Sequence, residues 1–210
     1  MRVYRFLPSS FGLKTIRENR MHISKIMDLN DPFEFLGAVL EDEIMWHAMN
    51  AVRNKLASNR GVICFSEASN NPLLWSHYAD KHKGICLGVE FPDENLTKIL
   101  YRKNRIPVGN SIDSDLMKKI LSTKFSHWRY EREYRAFLSL DKAASDGNYY
   151  LDFSDQIQLK EIIIGANSEL ARKDVIDALD SRSKGIKMFK ARPALKTFKV
   201  TKNMKQDLWK

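Results

Sequence analysis

The chain has 210 residues, of which 43% are apolar and 10% aromatic. This length allows one domain with a sizeable core, and the apolar fraction excludes a mostly disordered chain. No run approaches the roughly 18 apolar residues of a membrane-spanning helix, and the first residues lack the apolar run of a signal peptide. Cys64 and Cys86 lie in apolar, strand-like runs, so we expect buried reduced thiols and a cytoplasmic location.

The basic character of the chain belongs to its C-terminal part. The formal net charge is +9, from 35 Lys and Arg against 26 Asp and Glu. Residues 184–210 carry nine basic residues and one acid, a net of +8, which leaves +1 for the first 183 residues. A polyanion would therefore bind at this strongly basic C-terminal segment, 184–210. The alternative is a solvated edge, on which lysines prevent strand-to-strand pairing.

Helix and strand patterns are intermixed along the first half of the chain. The spacing of apolar residues and the turn signals predict, in order, a strand over 3–7, a helix over 11–19, a strand over 21–26, a turn at 28–32, a helix over 41–58, a strand over 61–66, a helix over 71–81 and a strand over 84–91. The helix over 41–58 has an apolar face that we expect to pack on the core, made of Ile44, Met45, Ala48, Val52 and Leu56.

The second half continues without regular βα alternation. It predicts a strand over 97–103, a helix over 113–128, strands over 130–140, 149–153 and 159–165, a helix over 169–182 and two strands around Pro193. No internal repeat or flexible linker divides the chain. We therefore predict an α+β fold, a single compact domain over residues 1–210 with a mixed or antiparallel sheet, whole or split, flanked by helices.

A segment rich in aromatic and polar residues, 71–84, is the first candidate site. On the predicted helix, Leu74, His77 and Tyr78 share a face, because positions three and four apart are neighbours. In one interpretation, His77 or Tyr78 binds a ligand or acts as an acid or base at the mouth of the sheet. The alternative is a helix packed by Trp75 and Tyr78, with His77 hydrogen-bonded in the core.

The charged segment 130–135 is the second candidate site. As part of a strand, it would place Glu131, Glu133 and Arg135 on one face. Two carboxylates two residues apart in a strand lie about 7 Å apart, so one can position a substrate hydroxyl while the other acts electrostatically. A solvated face with Glu–Arg pairs is the alternative. Because both faces of this strand are polar or aromatic, we expect one of them to line a cleft.

Two aromatic residues follow the turn predicted near residue 30. The Asx side chains and the proline of Asn30-Asp31-Pro32 are typical of a turn, because Asx side chains bond nearby backbone and proline disfavours helix at the preceding residue. Phe33 and Phe35, on either side of Glu34, would wall a pocket or anchor the loop.

Several common active-site patterns are missing from the sequence. Two zinc ligands on a helix are four residues apart, whereas His77 and His82 are five apart. The two cysteines form no metal-type pair either. We therefore predict no metal site. Ser66 lacks the flanking glycines of a nucleophile elbow, and no glycine-rich phosphate loop occurs.

Taken together, these motifs resemble a bacterial family, the domain-of-unknown-function family 2971. The resemblance covers about residues 4 to 165 and rests on Tyr4-Arg5-Phe6, Ile23-Ser24 with Asn30-Asp31-Pro32-Phe33-Glu34, Cys64-Phe65-Ser66-Glu67, Trp75-Ser76-His77-Tyr78-Ala79-Asp80 with His82 and Gly84, and Trp128-x-Tyr130-Glu131-x-Glu133-Tyr134-Arg135. The family brings no established activity. Its members often lie in phage-defence or mobile loci, which implies a role in phage defence or in a toxin system.

A second, more distant resemblance is to the ADP-ribosyltransferases. Those enzymes carry an Arg or His on a first strand, a Ser or Tyr on a second and a Glu, often in Glu-x-Glu, on a later one. The resemblance implies NAD as substrate, with Arg5 contacting its phosphate or ribose and Ser24 supporting the nicotinamide ribose. Glu133 would be the catalytic carboxylate that stabilises an oxocarbenium-like transition state, with Glu131 beside it. Arg135 is the third residue assigned to NAD binding.

Three functions are compatible with these features. The first is an NAD-consuming, ADP-ribosyltransferase-like enzyme that acts on a nucleic acid or protein target, with a cleft that joins Arg5, His77, Tyr78 and Glu133. The second is a nucleic-acid-binding or nucleic-acid-processing module without NAD chemistry, which binds through Lys187, Lys190, Lys196 and Lys199. The third is a non-catalytic interaction protein, such as a component of a defence or toxin–antitoxin pair. No membrane partner is expected, and the oligomeric state is open.

Overall fold

The computed structural model describes residues 1–39, 43–108, 114–205 and 209. The elements, in chain order, are β1 (Arg2–Leu7), α1 (Ser9–Glu18), β2 (Arg20–Lys25), α2 (Glu43–Asn59), β3 (Arg60–Ser66), α3 (Pro72–Tyr78), β4 (Ile85–Glu90), β5 (Thr97–Lys98), β6 (Leu100–Arg102), α4 (Ser114–Leu121), β7 (Thr123–Phe125), β8 (Glu133–Ser139), β9 (Tyr149–Asp152), β10 (Gln158–Ile164), α5 (Arg172–Leu179), β11 (Lys187–Pro193) and β12 (Val200–Asn203). Strands pair both parallel and antiparallel, so the predicted α+β fold with a mixed sheet and flanking helices is confirmed.

The chain packs as two compact units, each built from separate stretches of sequence. Unit 1 comprises Met1–His22, Phe65–Glu94 and Tyr150–Lys210, and unit 2 comprises Ile23–Cys64 and Asn95–Tyr149. The single domain over residues 1–210 stays a prediction.

In unit 1, five strands follow the order β12-β11-β10-β4-β1. The strand β4 is antiparallel to both β1 and β10, and β10 runs parallel to β11. The connection between these parallel strands contains α5, as a parallel pair requires a long crossover. The apolar sequence of β4 is buried along almost its whole length, and Trp75, Ala79, Cys86 and Ile163 pack in one core cluster.

In unit 2, β3 pairs antiparallel with β2, placing Ser24 opposite Val62. The strand β8 pairs with β3 and β5, and the short strands β6 and β7 form a parallel pair. The core between these strands and the helices α2 and α4 includes Phe35, Met49 and Ile120. This arrangement carries the second candidate segment on β8 and on the turn before it.

Two predicted elements are shorter than the sequence suggests. The helix predicted over 113–128 ends at Leu121, because Thr123–Phe125 pairs with β6 and residues 126–131 form a 3-10 helix; residue 113 lies outside the described residues. The strand predicted over 130–140 begins only at Glu133, after Arg132 adopts a left-handed φ of 47°.

Two predicted helices also differ in detail. The helix predicted over 71–81 ends at Tyr78, and Asp80, Lys81 and His82 follow with left-handed φ angles of 43°, 53° and 69°. In α2, whose predicted residues 41 and 42 lie outside the described residues, Ile44 is 81% exposed and Met49 is 1% exposed. The apolar face is therefore rotated from the predicted one, because the core lies on the Met49 side.

Candidate functional site

Five charged residues of unit 2 meet in a buried group that we call the charge cluster: Glu34, Lys124, Glu131, Glu133 and Arg135. Each of these residues is at most 7% exposed, and Arg135 is completely buried. The three predicted residues Glu131, Glu133 and Arg135 therefore converge, but they do not form the solvated face that was the alternative interpretation. Burying so many charges is costly unless each is paired, so the geometry of the pairs decides what the cluster can do.

The ammonium group of Lys124 lies among three carboxylates. Its Nζ atom is 2.7 Å from Glu131 Oε2, 3.1 Å from Glu34 Oε1 and 3.3 Å from Glu133 Oε2. The same Nζ atom lies 4.7 Å from the centre of the Trp128 ring, a distance typical of a cation–π contact. Burial alone lowers the pKa of Lys124, but the carboxylates of Glu133, Glu34 and Glu131 outweigh burial and raise it. Lys124 is consequently a fixed positive charge.

The guanidinium group of Arg135 joins two of the same carboxylates. Its Nε and Nη2 atoms donate to the two oxygens of Glu133 at 2.6 and 3.0 Å, and Nη2 also donates to Glu34 Oε1 at 2.8 Å. This two-point pairing with Glu133 is the strong geometry that a planar guanidinium allows. Both oxygens of Glu133 are thus occupied by cations.

The pKa of Glu133 follows from these contacts. Burial raises the pKa of its carboxyl, but Arg135 and Lys124 outweigh burial, so the pKa lies below its ordinary value. The backbone N–H of Glu133 donates to the Tyr101 hydroxyl at 2.8 Å. Burial, together with the nearby Glu133 and Glu131, raises the pKa of Tyr101 to about 12. Glu133 is therefore an ionised, fully partnered carboxylate.

Glu34 differs from Glu133 in having one oxygen without a partner. Its Oε1 atom accepts from Arg135 and Lys124, whereas its buried Oε2 atom has no hydrogen-bond partner among the described residues. The cluster as a whole holds three carboxylates against two cations, a formal charge of −1. An unpaired buried acceptor is costly, so this oxygen is the least satisfied polar atom of the charge cluster.

The predicted turn explains how Glu34 reaches the cluster. Asp31 Oδ1 accepts from the Phe33 N–H at 2.9 Å, and the Asp31 carbonyl accepts from the Glu34 N–H at 3.0 Å. These bonds turn the chain so that Phe33 is 63% exposed while Glu34 and Phe35 are buried. Both interpretations of the two aromatics therefore hold, one for each residue: Phe33 lines a cavity, and Phe35 anchors the loop in the core.

A cavity of about 510 Å³ opens beside the charge cluster. Of the cluster, Glu34 and Lys124 line it. The rest of its lining combines aromatic rings with cationic side chains, chiefly Phe33, Phe125, Trp128, Arg102, Lys103 and Arg105. Arg102, Lys103 and Arg105 are exposed, so they can meet an anionic group of a ligand whose ring lies deeper. The cavity thus offers aromatic surface, positive charge at its rim and two buried acidic residues, Glu34 and Asp31.

The predicted site residues fall in both units. Ser24, Glu131, Glu133 and Arg135 belong to unit 2, and Arg5, His77 and Tyr78 belong to unit 1. In unit 1, Arg5 lies on β1 opposite Leu87 and is 8% exposed. The single cleft predicted to join Arg5, His77, Tyr78 and Glu133 stays a prediction.

The helix α3 presents its aromatic residues differently from the packed-core interpretation. Trp75 is buried, and its ring nitrogen donates to the Ser69 carbonyl at 2.7 Å, whereas His77 is exposed. His77 is therefore not a core histidine. His82, beyond the helix end, lies 3.1 Å from the Ser76 hydroxyl through its Nε2 atom. Burial lowers the pKa of His82, against a backbone hydrogen bond with Pro72 that raises it.

The four lysines predicted to bind nucleic acid are not equivalent. Lys196 and Lys199 are exposed on the loop between β11 and β12. Lys190 donates to the Ser168 carbonyl at 2.8 Å. Lys187 begins β11, about 20 Å of strand away from the loop. Only Lys196 and Lys199 share the loop, and binding of nucleic acid through all four lysines stays a prediction.

Sequence reasoning missed Lys124 as a site residue and gave Glu34 no chemical role. Lys124 lies in a segment that was predicted to be helical, where a lysine is unremarkable. The one available signal for Glu34 was its place beside two aromatics in the turn motif.

Among the described residues, no group of three or more His, Cys, Asp or Glu side chains could hold a metal ion, and no helix is long and apolar enough to cross a membrane.

In comparisons with known proteins, no family model, curated protein or solved structure matches the chain. The resemblances to family 2971 and to the ADP-ribosyltransferases therefore stay predictions, and the functional argument depends on the geometry of the site.

Proposed function

We propose that this protein is an NAD-consuming enzyme of the ADP-ribosyltransferase kind, and that NAD binds in the cavity of unit 2. The observation that carries the proposal is the Glu34 carboxylate, which lines an aromatic and cationic cavity and keeps one buried oxygen without a partner among the residues that the structure describes. The excess of one negative charge in the charge cluster favours a ligand whose reacting end is positive. The oxidised nicotinamide ring of NAD has that property.

The walls of the cavity match the other parts of the same ligand. Phe33, Phe125 and Trp128 offer faces on which a flat heteroaromatic ring can stack. The exposed Arg102 and Arg105 can pair with a pyrophosphate, for which guanidinium groups are well shaped. The cavity therefore has contacts for the flat rings and for the pyrophosphate of a dinucleotide.

The chemistry needs a carboxylate beside the ribose carbon that reacts. The bond between C1′ and the nicotinamide nitrogen breaks, its electron pair neutralises the nicotinamide ring, and an oxocarbenium-like charge develops at C1′. A hydroxyl or amine of the acceptor then attacks C1′ and releases a proton. Glu34 would stabilise the developing charge electrostatically, because it is already held in place by Arg135 and Lys124 and needs no reorganisation.

In this proposal Glu133 has a different role from the one expected from its sequence motif. Its two oxygens are bonded to Arg135 and Lys124, and it is not among the described residues that line the cavity. Glu133, with Glu131, would hold those two cations in place, and the cations in turn orient Glu34. Glu133 and Glu131 are then positioning residues, and the catalytic carboxylate is Glu34.

The acceptor is proposed to be a nucleic acid or a protein, reached through the basic C-terminal segment. Such a transfer would suit an enzyme of phage defence or of a toxin system. The alternative function, a non-catalytic interaction protein in which these clusters are only structural, is less well supported than the enzyme. The reason is that the charge cluster is buried beside a cavity rather than spread over the surface.

Turnover of labelled NAD tests the proposal. Purified protein is incubated with NAD labelled in its adenine half and with bacterial extract, and both nicotinamide release and transfer of label are measured. The variant Glu34→Gln keeps an acceptor oxygen for Arg135 and Lys124 but removes the charge, so it should fold and lose about 10²–10³-fold in kcat. The matched control is Glu43→Gln, an exposed position in the first turn of α2, which should behave like wild type.

Two results would contradict the proposal. One is wild-type protein that releases no nicotinamide under any acceptor condition. The other is a Glu34→Gln variant that folds, as judged by its thermal unfolding, and consumes NAD at the wild-type rate. Loss of turnover in Glu133→Gln together with unchanged turnover in Glu34→Gln would return the catalytic role to Glu133.

A further inference from the structure

The loop between β11 and β12 in unit 1, residues 194–199, exposes two large apolar side chains. Phe198 is 100% exposed and Leu195 is 92% exposed. The base of the loop is fixed, because the Ala194 N–H donates to the Lys199 carbonyl and the Val200 N–H donates to the Asn70 carbonyl, both at 2.9 Å. The base of the loop is thus held in place, while the Phe198 ring is exposed to solvent and its position is not explained by packing within the protein.

A second cavity, of about 520 Å³, lies against this loop. The loop supplies one side of it, and Pro72, His82 and Ala166 supply much of the rest. The described residues that line it include no carboxylate. The cavity is therefore a mostly apolar recess, with Lys196 and Lys199 as its cationic side chains, and a flat ring suits its apolar part.

Positive charge surrounds the same loop. Lys196 and Lys199 both line the cavity and are exposed. Residues 184–206 contain no Asp or Glu in the sequence. An anionic chain that runs along the loop would therefore meet lysines without a nearby carboxylate of the same segment to repel it.

We propose that the β11–β12 loop binds single-stranded nucleic acid, with a base stacked on Phe198 and the neighbouring phosphates held by Lys196 and Lys199. Proteins that bind single strands without strong sequence preference combine a stacking ring with a positive track in this way. A single strand is favoured over a duplex because its bases are free to leave the stack and enter a recess. A lipid surface would use the apolar tip and the lysines but would have no use for the recess that His82 and Pro72 help to form.

This binding site is independent of the proposed NAD chemistry, since its residues belong to unit 1 and do not line the unit 2 cavity. If NAD turnover fails, the loop is still expected to bind single strands, so the two proposals can fail separately.

Fluorescence anisotropy with a labelled single-stranded oligonucleotide of about 16 nucleotides tests the loop. Phe198→Ala should weaken binding about tenfold. Lys196→Ala with Lys199→Ala should make the dependence of log affinity on log salt shallower by about 1.4, measured from about 50 to 200 mM salt. All these side chains are exposed, so the variants are expected to fold, and thermal unfolding checks this.

Two matched controls come from the same chain. Phe11→Ala removes an exposed ring of α1, and Lys173→Ala removes an exposed lysine of α5. Both should leave the affinity within about twofold of wild type.

Several outcomes would overturn the inference. These are wild-type affinity in Phe198→Ala, tighter binding of a duplex than of the matched single strand, or no oligonucleotide binding at all. Binding to vesicles that contain anionic lipid, lost in Phe198→Ala and without oligonucleotide binding, would assign the loop to a membrane surface instead.

Discussion

Arg135 and Glu34 are separated by 101 positions in the chain, yet Arg135 Nη2 donates to Glu34 Oε1 at 2.8 Å inside unit 2. The same guanidinium holds both oxygens of Glu133. One buried cation thereby connects the turn after β2 to the strand β8. This bond occupies Glu34 Oε1, whereas the buried Oε2 atom has no hydrogen-bond partner among the described residues.

Replacing Arg135 should strongly destabilise the protein. Arg135→Ala leaves Glu34 and Glu133 short of a buried partner, and removing one member of a buried ion pair costs about 3–5 kcal/mol. Arg135→Lys should recover only part of this loss, because a single ammonium cannot reproduce the two-point pairing with Glu133. Urea unfolding measures both variants. Arg129→Ala, at an exposed position, is the control and should change the free energy of unfolding by less than about 0.5 kcal/mol.

Acid should weaken the fold partly through Glu133. Its pKa is lowered in the folded protein, because Arg135 and Lys124 outweigh the effect of burial. The resulting stabilisation is complete above the pKa of the unfolded carboxyl, about 4.3, and is lost as the pH falls below it towards the folded pKa. The free energy of unfolding should therefore decrease between about pH 5 and pH 3, and this decrease should be smaller in Glu133→Gln. An equal slope in both proteins would argue against an ionised, paired Glu133.

The Tyr101 hydroxyl should be both hard to ionise and structurally needed. Burial is the largest cause of the pKa shift of Tyr101, whose pKa is raised to about 12. Burial also raises the pKa of Tyr4 and Tyr130, so ultraviolet titration of tyrosinate should show one late-titrating tyrosine fewer in Tyr101→Phe than in the wild type. The same variant leaves the Glu133 N–H without its acceptor, so it should lose about 1–3 kcal/mol of stability. A Tyr101→Phe variant that loses stability but keeps the same number of late-titrating tyrosines would contradict the assignment of a raised pKa to Tyr101.

The turn that carries His82 should tolerate no side chain at Gly165. A Cβ there would collide with the carbonyl oxygen of His82, which also accepts a hydrogen bond from the Asn167 N–H at 3.0 Å. Since neither group is a flexible side chain, Gly165→Ala should cost more than about 2 kcal/mol. Gly185→Ala is the control: it has open space at its Cβ and a φ of +83°, and should cost only about 1–2 kcal/mol. Equal losses of stability in Gly165→Ala and Gly185→Ala would show that the turn at His82 accommodates an added Cβ at little cost.

Much of the fold could be predicted because local patterns decide it. The continuous apolar run of β4 and the alternation in β1 predict buried strands, and the Asn71-Pro72 pair predicts where α3 begins. Helix ends were less predictable. His82 is the last of three consecutive residues with left-handed φ angles, and non-glycine residues rarely adopt that conformation in succession. No local preference indicates it, because tertiary contacts such as that with Gly165 hold the turn.

The site could be predicted only in part, for the same reason. Glu131, Glu133 and Arg135 stand out in the sequence, but their burial depends on Lys124 and on Glu34, which come from other segments. A charged strand is ordinarily solvated, and one sequence cannot show that distant ions will neutralise it. The unpaired oxygen of Glu34 is a property of the assembled cluster and has no counterpart in a motif.

The most direct measurement compares the affinity of the protein for a cationic and a neutral nicotinamide ring. Isothermal titration calorimetry would use NADH and a non-cleavable NAD⁺ analogue in which a methylene group replaces the ring oxygen of the nicotinamide ribose. Because the charge cluster carries one excess negative charge beside the cavity, wild type should bind the cationic ligand about tenfold more tightly, and Glu34→Gln should bind both alike. Equal affinities in wild type, or a preference that Glu34→Gln leaves unchanged, would contradict the assignment of Glu34 as the carboxylate that meets the nicotinamide end of NAD.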